Sequence, residues 1–257
     1  MTDLYHTSEV TLINADGSKD DAEVVLLCEH DLSIIVNERF VMKLVCTGEY
    51  LEELVMGRLL TGGFIKSAED VERILFCREK TEASVFLSND VEFDAVPIEE
   101  KSCCTGNKIL YSVKGRGNME KLPGHVFQNE WIFALAEQFE KGTKLHDMTS
   151  CTHSCMLGRR GEILFTCEDI GRHNAVDKAV GYALKTGVDL SECILYTSGR
   201  VPVDMAEKSI AAGVPVLVSK SVPTAEAVEL ANRYGLTLIG NARRDSMKVF
   251  TDGVFFG

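Results

Sequence analysis

Apolar residues in the first hundred positions come in short runs, not in long helical stripes. Two of them, VVLLC and LSIIV, flank Glu29-His30-Asp31 and predict a β-hairpin across Glu23–Ile35. Asn37-Glu38-Arg39 then turns the chain into a further strand, FVMKLVC. After Glu49-Tyr50 the period changes. Leu51, Leu54, Val55 and Leu59 recur at helical spacing, and Gly62-Gly63 ends the helix. Strand-like runs return at VERILFC and ASVFLS, so residues 1–105 read as a small α+β domain.

Residues 106–124, ending in KGRGNMEKLPG, read as a loop and linker. From 125 onward, strands and helices alternate. Glu130–Glu140 predicts a helix with Ile132, Leu135, Ala136 and Phe139 inward, and Gly158-Arg159-Arg160-Gly161 a hairpin. A helix with Val176, Ala179, Val180, Ala183 and Leu184 inward follows. Then come strand CILYTS, a helix from Val203, strand VPVLVS, a helix from Thr224 and strand LTLIG. This order predicts an α/β domain over 125–257: a mixed, largely parallel sheet with helices on both faces.

Charge divides the chain at the same place. Residues 1–105 carry nine Lys/Arg against 22 Asp/Glu, a net of −13, whereas the remainder carries 18 against 17. An acidic first domain argues against nucleic acid as a partner, and an anionic ligand is better received by the second. No run approaches the roughly 20 apolar residues that cross a bilayer, and no secretory signal opens the chain. Nine cysteines without framework spacing fit reduced thiols in a cytoplasm.

Three strand-to-helix turns hold the richest chemistry: Glu168–Asn174 with Asp169, Arg172 and His173; Ser198-Gly199-Arg200; and Ser219–Thr224. Parallel strands place all three on one edge, each at a helix N-terminus where N–H groups favour anions. Any one turn is as well explained by helix capping; together they predict an anion-binding cleft. Cys103-Cys104-Thr105-Gly106 is the second signal. Lys101 and Lys108 nearby favour a thiolate there, suited to carrying sulfur as a persulfide or to redox exchange. Cys151, His153 and Cys155 alternate along an expected strand. No second ligand pair at zinc spacing accompanies them, so no metal site is expected. Cys28, Cys46, Cys77, Cys167 and Cys193 sit in apolar strands and read as core.

EDIGRHNAVDKAVG, TSGRVPVDMAEKSIAAGVPVLVSKSVPT and LTLIGNAR closely resemble the FdhD family, accessory sulfurtransferases of formate dehydrogenase. The resemblance is most specific over residues 149–243. It implies a cytidine-deaminase-like fold for the second domain and a role in maturing a molybdenum or tungsten enzyme. A cysteine desulfurase would load a loop cysteine, and the sulfur would pass to a bis(molybdopterin guanine dinucleotide) cofactor, bound as cargo and destined for the formate dehydrogenase apoenzyme. Aligned on the family's single-Cys loop, Cys104 carries the persulfide and is preferred; aligned on its two-Cys loop, Cys103 does. The family's Phe-Ala-Arg cofactor segment corresponds to Asn241, Ala242, Arg243, Arg244, Asp245 and Ser246, with Asn in place of the aromatic. By their position in the turns, Arg172, His173, Ser198, Arg200 and His153 join the expected cofactor-binding set, with Asp169 orienting His173.

Two other readings stand beside it. A hydrolytic deaminase needs His-x-Glu or Cys-x-Glu on a helix together with Pro-Cys-x-x-Cys, and Pro-Cys-x-x-Cys does not occur. A guanine-dinucleotide chaperone with idle thiols would keep the cleft and dispense with sulfur transfer. Oligomeric state is open, a homodimer included.

Overall fold

The structure, a computed structural model, describes residues 4–94, 98–99, 107–113, 119–124, 126–253 and 255–256. The chain opens with β1 (Tyr5–Ile13), β2 (Lys19–Leu27), β3 (His30–Val36), β4 (Arg39–Cys46), α1 (Leu51–Thr61), β5 (Val71–Phe76) and β6 (Glu82–Leu87). Five two-residue strands follow: β7 (Phe93–Asp94), β8 (Ile98–Glu99), β9 (Lys108–Ile109), β10 (Ser112–Val113) and β11 (Val126–Phe127). Then come α2 (Asn129–Glu140), α3 (Lys144–Thr149), β12 (His153–Arg159), β13 (Glu162–Asp169) and α4 (Arg172–Thr186). β14 (Ile194–Thr197), α5 (Val203–Ala211), β15 (Val216–Ser219), α6 (Ala225–Tyr234), β16 (Thr237–Gly240), β17 (Lys248–Thr251) and β18 (Phe255–Phe256) complete the order.

Two mixed six-stranded sheets dominate. The first has the order β5-β6-β3-β4-β9-β8, and the second β13-β12-β14-β15-β16-β17. In the second, β12 is antiparallel to both β13 and β14, while β14, β15 and β16 are parallel. The carboxyl ends of β13, β14, β15 and β16 therefore share one edge. Mixed α/β architecture, with helices on both faces of the second sheet, is as expected.

The Asn37-Glu38 turn joins β3 to β4 with both residues at positive φ, 45° and 65°. Arg160-Gly161 does the same between β12 and β13, where φ of 82° at position 161 suits glycine. The hairpin expected across Glu23–Ile35 is not formed. β2 instead pairs antiparallel with β1 across the tight turn at Asn14–Ser18, and β3 lies between β4 and β6. Val24 and Leu26 remain exposed on this two-stranded ribbon, so an apolar run there did not signal core.

Side chains alternate across the second sheet as period two demands. Ile194, Tyr196, Val216, Val218 and Ile239 pack with Ile132, Leu135 and Phe139 of α2. On the other face, Leu157, Leu195 and Leu217 join Val176 and Val180 of α4. That cluster continues through Leu54, Val55 and Leu59 of α1 to Leu32 and Ile34 of β3. α1 and α4 cross at Gly57 and Gly181. A Cβ at either glycine would strike the carbonyl of the opposite helix, at Asp177 or Glu53. Among the described residues no helix is long and apolar enough to cross a membrane.

Candidate functional site

The shared edge brings together four turns. Asp169, Thr197, Ser219 and Gly240 end their strands there, and His153 begins β12 directly opposite Asp169. Backbone bonds lock the turns to one another. Lys220 N–H donates to Thr197 O (3.0 Å), Asn241 N–H to Ser221 O (2.7 Å) and Ala242 N–H to Ser219 O (3.0 Å). The Ser219 hydroxyl donates to Gly199 O (2.6 Å) and accepts from Ser221 N–H (2.9 Å). The Tyr196 hydroxyl donates to Ala242 O (2.9 Å), fixing the Asn241–Ser246 segment over the sheet end.

Its cations differ in how they are held. Arg172 is buried in the first turn of α4, and its aliphatic stem lies against Gly199, where an added Cβ would come within 3.1 Å. Arg200 is exposed. Arg243 is half-buried and donates through Nη1 to Lys220 O (2.6 Å) and Ala242 O (2.8 Å), so it braces the turn. Arg244 is exposed, with its Nε 3.8 Å from Glu140 Oε2, a distance and exposure that give a weak pair. Asp245 accepts from the Ser246 hydroxyl at 3.2 Å, both exposed.

His153 is half-buried, its Nδ1 3.4 Å from the Ser198 hydroxyl oxygen, which also accepts Ser154 N–H at 3.0 Å. Burial first, and then the charges of Arg172 and His146, push its pKa below the ordinary 6.5. The ring is therefore neutral at pH 7 and able to accept a proton. His173 is buried and lies 3.1 Å from Asp204 Oδ2 through Nε2. Asp169 does not orient it, contrary to expectation. Asp169 Oδ2 instead takes Lys178 (2.6 Å) and both the N–H and hydroxyl of Thr47 (3.0 and 3.2 Å). Its Oδ1 takes Gly171 N–H and Asn174 Nδ2, each at 2.9 Å. The carboxylate is spent on the turn and on the link to the first sheet.

Sequence reasoning missed this linking layer. Asn174, Lys178 and Thr47 are fully buried, and Asn107 nearly so. Glu168 was also missed as a hub. It accepts from the Thr143 and Thr152 hydroxyls (2.7 and 2.9 Å) and from Leu145 and His146 N–H (2.8 and 2.7 Å), capping α3. The one available signal was the pair of consecutive carboxylates at a strand end.

Cys103 and Cys104 lie outside the described residues. Of the cysteines read as core, Cys46, Cys167 and Cys193 are buried, and burial pushes the Cys167 and Cys193 thiols up to about 12. Cys77 is exposed just beyond β5, and Cys28 is half-buried with its Sγ 3.6 Å from His6 Nδ1, so these two leave the core set. Cys151 is exposed and precedes β12, and only His153 and Cys155 of the expected trio stand on the strand. Among the described residues, no three His, Cys, Asp or Glu side chains group as metal ligands.

The sequence model of the FdhD/NarQ family matches residues 27–254. The sulfur carrier protein FdhD of Listeria monocytogenes serovar 1/2a is 29% identical over 247 residues, covering 91% of this chain and 92% of the relative. That of Sulfolobus acidocaldarius is 32% identical over 240 residues, 92% of each chain. A crystal structure from Desulfotalea psychrophila, described as a formate dehydrogenase accessory protein, superposes with a TM-score of 0.79 at 25% identity. It covers 98% of this chain and 100% of its own. With a family model matched over residues 27–254 and the fold matched over nearly its whole length, the chain belongs to the FdhD/NarQ family.

Proposed function

We propose that this chain is a sulfur carrier in formate dehydrogenase maturation, acting in the cytoplasm. It takes sulfane sulfur from a cysteine desulfurase onto Cys104, or onto Cys103, and delivers it to a bis(molybdopterin guanine dinucleotide) cofactor bound as cargo. Loading is a thiol exchange: the carrier thiolate attacks the outer sulfur of the desulfurase persulfide, a new S–S bond forms, and the desulfurase cysteine leaves as thiolate. Placing that sulfur on the metal as sulfide takes up two electrons, supplied by a dithiol reductant.

The observation that carries the reading is the convergence of Arg172, Arg200 and the N-termini of α4 and α5 on one edge, in a member of a family whose relatives are named sulfur carriers. Such an edge suits the cargo's phosphates. Arg172 and Arg200 would meet them, with the Ser198 hydroxyl beside them. The Asn241–Ser246 segment, braced by Arg243, would contact the nucleotide. His153, neutral and half-buried, would take up a proton at Nε2. The strand order of the second sheet favours the cytidine-deaminase-like assignment for residues 125–257, and the acidic first part would dock on a basic partner surface.

Intact-mass analysis after incubation with a cysteine desulfurase and cysteine tests the reading. A gain of about 32 Da on the wild type, lost in one of Cys104→Ser and Cys103→Ser, is expected and names the carrier. No gain in any form, with full formate dehydrogenase activity supported by the double Ser variant, would leave a cofactor chaperone without sulfur transfer.

A further inference from the structure

β17 flanks β16 at the end of the second sheet, and its Phe250 is 38% exposed, a large apolar ring open to solvent. Phe250 is the extra residue of a bulge. Val249 pairs with Ile239 and Thr251 with Leu238, so the side chain between them is re-aimed. Gly240, the last residue of β16, gives the ring its room. A Cβ added there would come within 2.9 Å of Phe250 Cε2, 2.8 Å of Ser221 O and 3.1 Å of Pro223 Cδ. The ring therefore lies against the strand end, directly before the Asn241–Ser246 segment, none of whose side chains is aromatic. Val222, also exposed, precedes Pro223 and extends the apolar surface.

Alternation decides the face. Leu238 packs in one cluster with Val176 of α4, Met205 of α5 and Ala227 of α6, whereas Ile239 packs with Ile132 of α2. The Cβ direction of Gly240, two residues after Leu238, is therefore toward α4, α5 and α6. The N-termini of these helices are not equivalent. α4 and α5 have Gly171 and Pro202 as N-caps, which offer no side-chain oxygen, and Arg172 and Arg200 stand close by in sequence. α6 is capped by the Thr224 hydroxyl, which accepts Ala227 N–H at 3.3 Å, and Glu226 occupies its first turn. Phosphates are thus better received at α4 and α5, and the α6 end offers an apolar ring. Val201, next to Arg200, joins the two ends: its N–H donates to Val222 O (3.3 Å) and its carbonyl accepts Thr224 N–H (3.0 Å). Neighbouring strands lie about 4.8 Å apart, so β14 and β16 are separated by about 10 Å, the span of a nucleotide from phosphate to base.

We infer that Phe250 is the stacking platform for the base of the cargo's nucleotide: its exposed ring takes the face of guanine while Arg172 and Arg200 take the phosphates. A flat apolar ring beside a site for anions matches the two ends of a nucleotide, since every base has a π-face. The inference rests on the cargo-binding reading of this edge.

Guanosine diphosphate and inorganic pyrophosphate probe the two ends separately. Both are titrated calorimetrically into the full chain as wild type, Phe250→Ala and Phe250→Trp. The inference expects Phe250→Ala to bind guanosine diphosphate roughly tenfold or more weakly, the scale of one lost base stack. Pyrophosphate, which has no base, should bind all three forms alike. Phe250→Trp should keep the nucleotide affinity, and guanosine diphosphate, but not pyrophosphate, should quench its added fluorescence. Trp131, the native tryptophan, packs on the α2 side of the sheet and supplies the background, read from the wild type. Unchanged nucleotide affinity in Phe250→Ala, or an equal loss for both ligands, overturns the stacking role and leaves the phosphate edge standing. Where Phe250→Ala proves unstable, absence of quenching in Phe250→Trp at saturating nucleotide overturns it. A wild type that binds neither probe removes the cargo-edge reading, and the stacking role with it.

Discussion

Asp169 and Lys178 are both fully buried and lie 2.6 Å apart, an arrangement that would be costly without its surrounding hydrogen bonds. Burial, the largest single effect, pushes the Lys178 ammonium down, but the charge and hydrogen bond of Asp169, with smaller help from Cys46 and Cys167, together hold the pKa above the ordinary 10.5. Thr47 and the carbonyl of Glu168 take the remaining ammonium protons, at 2.6 and 3.2 Å. Replacing one partner strands a charge in the core. Lys178→Met should lower stability by about 3–5 kcal/mol in urea unfolding, and adding Asp169→Leu should recover much of it. A loss no larger than 1 kcal/mol, about the value of an exposed pair, would mean that water reaches the carboxylate. His153 makes a prediction of the opposite pH sense to a paired histidine. Its pKa is depressed, so below about 6.5 the unfolded chain takes a proton that the folded protein resists, and stability falls on acidification through that range. His153→Gln should flatten the fall between pH 7 and 5. A proton-NMR titration of the wild type should place its midpoint below 6.5 and shift it upward in Arg172→Gln.

α4 shows how far an element can be read from its sequence. The apolar positions Val176, Ala179, Val180, Ala183 and Leu184 predict one inward face; the first four are buried and Leu184 is half-buried. Asn174, Asp177 and Lys178 are buried as well, because α1 covers the face that periodicity assigns to solvent. Asp177 is matched there by Arg58 at 3.2 Å, by the Thr61 hydroxyl at 2.7 Å and by Lys208 at 2.8 Å. These partners are 119, 116 and 31 positions away, so no local pattern could announce them. The crossing itself depends on Gly57 and Gly181. Gly57→Ala or Gly181→Ala would put a methyl group on a backbone carbonyl that cannot rotate away. Each should cost more than the 1–3 kcal/mol typical of overpacking, and the thermal midpoint should show it against Gly187→Ala, whose added Cβ meets nothing. Gly187 has φ of 69°, so that control carries backbone strain of its own, about 1 kcal/mol. The α4 edge was legible because strands and turns follow local rules: β14 to β16 and the turn residues stand where alternation and Gly/Ser placement put them. The pairing of β2 with β1 was not, since an apolar run names a strand but not its neighbour.

At the scale of the molecule, composition suggests a division that packing crosses. The acidic surplus stops near residue 105; the second sheet lies wholly beyond that point in sequence, and the first lies before it except for β9. Yet α1, from the first part, is buried along nearly its whole length, and so is the N-terminal two-thirds of α4, from the second. Leu32, Leu54, Val176 and Leu195 belong to one buried cluster, and Thr47 reaches across to Asp169 and Lys178. Separating the parts would expose both helices, take Arg58 away from Asp177 and strip Thr47 from Asp169 and Lys178. The two parts should therefore unfold together. Trp131 on α2 reports the far face of the second sheet, where it packs edge-on against Phe127, and far-UV dichroism reports both sheets. Their urea transitions should coincide at one midpoint and one slope. Fragments 1–124 and 125–257 expressed alone should bind a hydrophobic dye and lack sharp melting, whereas mixing them should restore a cooperative transition. A fluorescence midpoint well separated from the dichroism midpoint, or a fragment 125–257 that melts sharply by itself, would show that the sheets are held as independent units and that the α1–α4 crossing is an interface between them.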